Sequence, residues 1–214
     1  FGNNNYSQLN GNPSQFAFDL ANSSTIINAG NLEVTTGSNL TLLAGQVINT
    51  GNLSAPEGNI IVSSVPGTNV IKLSQQGNIL SLEIEPSRNH NGEINIDPLD
   101  LPILLTGSNV NTGLETQADN KVKLSNTNTT ISQGMNININ AGNINVSGNI
   151  GGSIQLLGNQ VDVINSNINA SGINGGGTVL IGGDYQGQGN IPTADNVWLN
   201  DTSEINVNAI TNGN

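Results

Sequence analysis

The chain has no cysteine, so neither disulfides nor thiolate metal sites can hold it together. Charge is scarce: Asp, Glu, Lys and Arg make up 9% of the residues, about a third of the usual share. Only four are basic, Lys72, Arg88, Lys121 and Lys123, and they form no cluster. Phosphate recognition needs grouped cations, so nucleic acid and anionic membrane surfaces are excluded as expected partners. No run approaches the roughly 18 apolar residues that span a bilayer, so membrane insertion is excluded too. Aromatics supply 3% of the chain, a scarcity often seen in disordered sequences. A signal peptide is also missing, but the chain starts at Phe1 and stops in an Asn-Gly-Asn run. It reads as a stretch of something longer, where a missing leader carries no weight.

What fills the space is asparagine, about forty residues, with 27 glycines beside them. Apolar residues still reach 35%, and Ile, Val and Leu fall in ordered alternation that disordered chains lack. The net charge of −11 is thinly spread and implies a solvated exterior.

The chain also repeats itself. Ile27 to Leu32 matches Ile48 to Leu53 at an offset of 21, and Asn39-Leu-Thr-Leu42 lies over Asn59-Ile-Ile-Val62 at 20. Further on, Ile144 to Gly148 matches Ile168 to Gly172 at 24, and Ser153 to Leu156 lies over Thr178 to Ile181 at 25. A period of 20 to 25 residues without helical periodicity marks a solenoid. The one-residue drifts fall at corners, at Thr35–Ser38 against Pro56–Gly58 and at Asn149–Gly152 against Ile173–Gly177. A slip inside a strand would turn every inward side chain to water; a corner absorbs it through Gly and Asn. Strands of three to five residues with a corner about every seven predict three strands per coil, an all-β parallel β-helix. The general crossover preference makes it right-handed.

The interior is expected to hold Ile27, Leu32, Leu40, Leu42, Ile48, Leu53, Ile60, Val62, Ile137, Ile139, Ile144, Ile154, Leu156, Ile168, Val179 and Ile181. Asn at outward or corner positions is expected to pair with Asn of the next coil in amide ladders. Three regions follow. Residues 1–65 carry an Asn-rich start, an apolar patch at Phe16, Phe18 and Leu20, and the first coils. Residues 66–126, with Pro66, Pro86, Pro98 and Pro102, break the rhythm and read as an extra-helical β insertion packed on the coil flank. Its Leu99–Leu105 run offers Leu101, Ile103 and Leu105 as satellite core or as a partner-contact patch. Residues 127–214 resume the coils, with a loop excursion at 185–196. Six to seven coils of about 4.8 Å each give a rod of roughly 30 Å.

Catalysis has little to build on. A glycosidase needs two facing carboxylates; Asp162 and Asp184 are 22 apart, but the repeat sets Asp184 opposite Asn159. A lyase would need an acidic cluster beside Arg88 or Lys72, and none is spaced for it. Asp97 and Asp100 flank Pro98 and suit a turn; His90 between two Asn residues suits a solvated loop. The run Gly182 to Gly189 has the glycines of a calcium nonapeptide in the wrong order. It reads as a tight exit from the coil, with Asp184 accepting backbone N–H bonds. Neither catalytic, metal nor cofactor-binding residues are expected, and the chain is expected not to be an enzyme.

The runs Ile27-Asn-Ala-Gly-Asn-Leu32, Asn39-Leu-Thr-Leu-Leu-Ala-Gly45, Leu80-Ser-Leu-Glu-Ile84, Ile168-Asn-Ala-Ser-Gly172 and Gly176 to Gly189 resemble the filamentous-haemagglutinin-type exoproteins of bacteria, above all large cyanobacterial ones. The resemblance implies a right-handed parallel β-helix exported by two-partner secretion through a dedicated outer-membrane β-barrel transporter. It also implies an extracellular or outer-surface location. The family's Asn-Pro secretion motifs are missing, since Asn12-Pro13 lacks their context. Two functions then stand open: the stalk of a surface adhesin, with cell-surface glycans bound elsewhere, or a subunit of a filament or coat that binds its own copies. A polysaccharide-active enzyme is the third.

Overall fold

Short segments of Ile, Val and Leu, each closed by Gly or Asn, become the strands of the structure. The computed structural model describes residues 15–17, 25–65, 70–72, 113–117, 121–125, 130–132, 137–188 and 191–211. β1 (Gln15–Ala17) precedes the coils. The first coil holds β2 (Thr25–Asn28), β3 (Asn31–Glu33) and β4 (Asn39–Ala44); the second holds β5 (Gln46–Asn49), β6 (Asn52–Ser54) and β7 (Asn59–Ser64). β8 (Val70–Lys72), β9 (Leu114–Gln117), β10 (Lys121–Leu124) and β11 (Thr130–Ser132) follow outside the coils. The third coil comprises β12 (Ile137–Asn140), β13 (Asn143–Asn145), β14 (Gly148–Ile150) and β15 (Ser153–Leu157). The fourth comprises β16 (Gln160–Val163), β17 (Asn167–Asn169), β18 (Gly172–Gly175) and β19 (Thr178–Ile181), and the fifth β20 (Asn196–Leu199) and β21 (Glu204–Asn206).

These strands stack into three parallel sheets: β2-β5-β12-β16-β20 on the first face, β3-β6-β13-β17-β21 on the second, β4-β7-β15-β19 on the third. The chain is a parallel β-helix with three strands per coil. β14 and β18 pair in the corner between the second and third faces of the later coils. Five coils stand among the described residues where six to seven were expected, because β11 belongs to a separate antiparallel sheet with β10 and β9. The coils therefore resume at Ile137 rather than at 127. At about 4.8 Å per step the column is about 19 Å from first strand to last.

Register follows the sequence repeats. Leu32 faces Leu53, Leu40 faces Ile60, Ile144 faces Ile168 and Ile154 faces Val179. The first drift in offset falls in the corner after β3, as expected. The second is taken up in a bulge between Gly148 and Ile150 of β14 rather than in a turn. After 91 residues the chain returns with Asn143 over Asn52 and Ile144 over Leu53. The insertion leaves the column in phase.

The interior is aliphatic. Val47, Leu53, Ile60, Val62, Ile144, Ile154, Leu156, Val161, Val163 and Ile168 are buried in one cluster, with Ile26, Leu40, Leu42, Val179 and Ile181 half-buried against it. Each full burial stabilises by about 1.5–3 kcal/mol. At the fifth coil the same columns end on Val197, Leu199, Ile205 and Val207, which are 38–49% exposed because nothing described lies beyond them. Leu32 heads the interior column of Leu53, Ile144 and Ile168 at the opposite end and is likewise 39% exposed.

The first face corrects the expected phase. Ile27, Ile48, Ile137 and Ile139 point away from the column interior, into a second cluster with Ile164, Leu114 of β9 and Leu124 of β10. The antiparallel sheet covers this outer side, so both faces of β5 are buried and alternation alone cannot say which is inside. The inward partners are Asn28, Asn49, Asn138 and Asn140, all buried. Asn28, Asn49 and Asn140 are tolerated because they bond along a ladder, and Asn138 because its Nδ2 donates to the Val62 and Leu157 carbonyls at 2.8 and 3.1 Å. Asn28 Nδ2 donates to Asn49 Oδ1 at 2.8 Å, Asn49 Nδ2 to Asn140 Oδ1 at 2.6 Å, and Asn140 Nδ2 to Ser166 Oγ at 2.9 Å. One coil later Val163 stands in the column beside Asn140, and the ladder ends on the serine. A second ladder runs along the exposed second face, where Asn52 donates to Asn31 and Asn143 to Asn52.

Corners close tightly where this buried ladder turns. A Cβ on Gly51 would overlap the Gly30 carbonyl oxygen, and one on Gly142 the Gly51 carbonyl oxygen. Glycine is required there by close approach of backbone, not by unusual angles. Asn49→Ala is expected to destabilise by about 2–4 kcal/mol, since it orphans the buried Asn140 Oδ1 and leaves Asn28 Nδ2 with only its 3.4 Å bond to the Asn52 carbonyl, a lost buried bond being worth about 1–3 kcal/mol. Asn52→Ala, on the exposed ladder, should cost less than about 0.5 kcal/mol. Gly142→Ala should cost about 1–3 kcal/mol by overpacking. Urea unfolding of the three variants measures each.

Candidate functional site

In the interior, side chains are used up in packing and ladders, so chemistry can only lie on the outer faces or in the excursions. The second face presents two columns of short polar residues. One carries Asn31, Asn52, Asn143, Asn167 and Glu204; the other Glu33, Ser54, Asn145, Asn169 and Asn206. In the latter column Asn145 and Asn169 fold their Oδ1 onto the backbone N–H and the hydroxyl of Ser147 and Ser171. These are Asx turns that hold the corner. The face is flat and nearly uncharged.

The first face differs along its length. Over the first three coils its outer side lies beneath Leu114 and Leu124. In the fourth and fifth coils the column of Ile27, Ile48 and Ile139 continues as Asp162 and then Trp198. The neighbouring column continues as Gln160 and Asn196. Gln160 Nε2 donates to Asp162 Oδ2 at 2.8 Å. Burial raises the Asp162 carboxyl above its ordinary value of 3.8, and the Gln160 bond offsets part of that rise. Trp198 is 47% exposed beside it.

Asp184 does not join this group. It accepts a hydrogen bond from Tyr185 N at 2.8 Å and caps the short 3₁₀ turn Tyr185–Gly187. Gly182 and Gly183, with φ of 74° and 132°, make the exit from β19. The chain returns at Ala194, whose N–H bonds to the Gly182 carbonyl at 2.7 Å. The excursion thus begins at Gly182, three residues before the expected 185. Among the described residues no group of three or more His, Asp or Glu side chains converges to hold a metal ion. Nor is any helix among them long and apolar enough to cross a membrane. The patch at Leu101, Ile103 and Leu105 lies outside the described residues, as do Phe18, Leu20, Arg88, His90, Asp97 and Asp100.

Sequence reasoning passed over Trp198 and Gln160. Their alignment requires an offset of 36 between β16 and β20, across the excursion, and a period of 20 to 25 does not reveal it. The usable signal was the segment Asn196-Val-Trp-Leu199, which alternates like Gln160-Val-Asp-Val163.

No family model and no curated protein sequence matches the chain. Among solved structures it is similar to the HMW1 secretion domain from Haemophilus influenzae, with 19% identical residues and a TM-score of 0.36. That alignment covers 91% of this chain and 54% of the other, so the chain spans about half the length of that protein.

Asp162 makes stability depend on pH. Its native value lies above the unfolded one, so between the two the folded state holds more protons. Stability then falls as pH rises through that window; the penalty is absent below 3.8 and complete above the raised value. Asp162→Asn is expected to melt at a higher temperature than the parent at pH 7 and to lose that advantage in acid. Melting curves from pH 3 to pH 8 check it; an advantage that is absent, or independent of pH, contradicts the assignment.

Proposed function

We propose that the chain is a structural, non-enzymatic shaft segment of a large secreted bacterial surface protein of the filamentous-haemagglutinin type. The observation that carries this reading is the column itself. Five coils return in register, side chain over side chain, and the insertion between the second and third leaves that register unbroken. Such a fold spends its side chains on keeping a line straight, and its product is a length and a set of faces rather than a pocket. The half-exposed apolar section at Val197, Leu199, Ile205 and Val207, with β20 and β21 as edges unpaired among the described residues, suits further stacking. Export by two-partner secretion through an outer-membrane β-barrel transporter, and exposure at the cell surface, rest on the sequence runs that resemble that family.

A filament or coat subunit is the second reading, and a specific feature favours it: the flat amide face of the second sheet carries only Glu33 and Glu204 as charges. Little repulsion opposes lateral contact between copies there.

Electron microscopy of the purified chain separates the two. The shaft reading predicts short single particles that do not lengthen with concentration; ordered filaments with an axial repeat of one chain would replace it with the subunit reading.

A further inference from the structure

We propose that the uncovered end of the first face, Trp198 with Asp162, Gln160 and Asn196, is a binding site for a neutral sugar. The inference goes beyond the shaft reading and does not depend on it.

The outer column of the first face contains one unfavourable residue. In a column whose earlier members are Ile27, Ile48 and Ile139, a carboxylate takes the fourth place. It is partly desolvated, and among the described residues its one side-chain hydrogen bond comes from Gln160, with no cation in attendance. A group left with spare acceptor capacity at a cost in stability is a candidate for recognition rather than for folding. The next place in the column is the chain's single tryptophan. Adjacent strands about 4.8 Å apart put the two side chains on the same face. Trp198 keeps 47% of its surface open on a protein with 3% aromatics.

A broad ring beside a carboxylate and two amides matches the chemistry of a pyranose. The sugar's C–H face lies on an apolar plane while its hydroxyls donate to a carboxylate and exchange bonds with amides. Net charge of −11 argues against acidic glycans. Among the described residues, the sheet that covers the first three coils leaves this patch open.

Because Trp198 is the only tryptophan, its fluorescence reports on the site alone. The experiment titrates the intact chain with soluble neutral oligosaccharides (gluco-, manno- and galacto-hexaoses) and with oligogalacturonate as the acidic comparator. The expected result is a saturable fluorescence change with at least one neutral oligosaccharide and none with the acidic one. Asp162→Asn should weaken that binding about tenfold or more, the loss of a charged hydrogen bond. Since that substitution is expected to stabilise the fold, lost binding could not be blamed on unfolding. Saturation-transfer NMR on Trp198→Ala, checked for native melting, should show no sugar contact. No saturable change with any neutral oligosaccharide, or a change equal in Asp162→Asn, would overturn the proposal. So would binding that survives in folded Trp198→Ala.

Discussion

Every feature of this molecule depends on backbone pairing from coil to coil. A parallel strand bonds to the strands above and below it, so each turn must bring the same kind of side chain back to the same place. That constraint disfavours bulk at the corners and polarity inside, unless the exception is matched in the next coil or, as at Asn138, bonds to backbone carbonyls. The glycines at 51 and 142 and the asparagines at 28, 49 and 140 are two such matched sets. They end together: the glycine column gives way to Ser166, whose hydroxyl takes the last amide of the ladder and bonds on to the Asn140 carbonyl at 2.7 Å. A buried polar column is high-stakes in a low-dielectric interior, costly when broken and specific for register when complete.

The same constraint explains how so long an insertion is accepted. Loop closure grows only slowly in cost with loop length, so an excursion can be large if its ends lie one coil apart. Here it returns an antiparallel sheet to the outside of the column, where Leu114 and Leu124 cover isoleucines of the first face. Two of the faces therefore diverge in character. One is clad and apolar over three coils and open only at Asp162 and Trp198; the other is bare, flat and amide-rich. A solenoid can vary its surface coil by coil without disturbing its core, and this one does.

Much of this was legible in the residues. Offsets of 21, 20, 24 and 25 give the strand pairings found in the structure, because a slip of one would expose a whole strand and the pattern cannot drift. Asp184 as a turn cap was legible as well, from a short polar residue directly after Gly182 and Gly183. The phase of the first face was not. In Met135-Asn-Ile-Asn-Ile-Asn-Ala141 the isoleucines look inward by hydrophobicity, yet a covering sheet from elsewhere in the chain claims them. Asn140 goes inside because the ladder satisfies it, and Asn138 because its amide bonds to the Val62 and Leu157 carbonyls. Neither fact is local, so alternation could not reveal it. The Asp162–Trp198 pair was hidden for a related reason, since its two members are brought together only after the excursion closes at Ala194.

The central claim is that the coil after the insertion stacks directly on the coil before it, in register. A chain without cysteine allows this to be read by designed cross-links. Asn52 and Asn143 are exposed partners on adjacent coils, 91 residues apart, and a spacing of about 4.8 Å lies within the span of a disulfide. Asn167, the next in that column, lies about 10 Å from Asn52, beyond that span. The account predicts that Asn52→Cys with Asn143→Cys oxidises to an intramolecular disulfide under mild conditions, while Asn52→Cys with Asn167→Cys does not. Failure of the first pair to close, or equal closure of both, would contradict it.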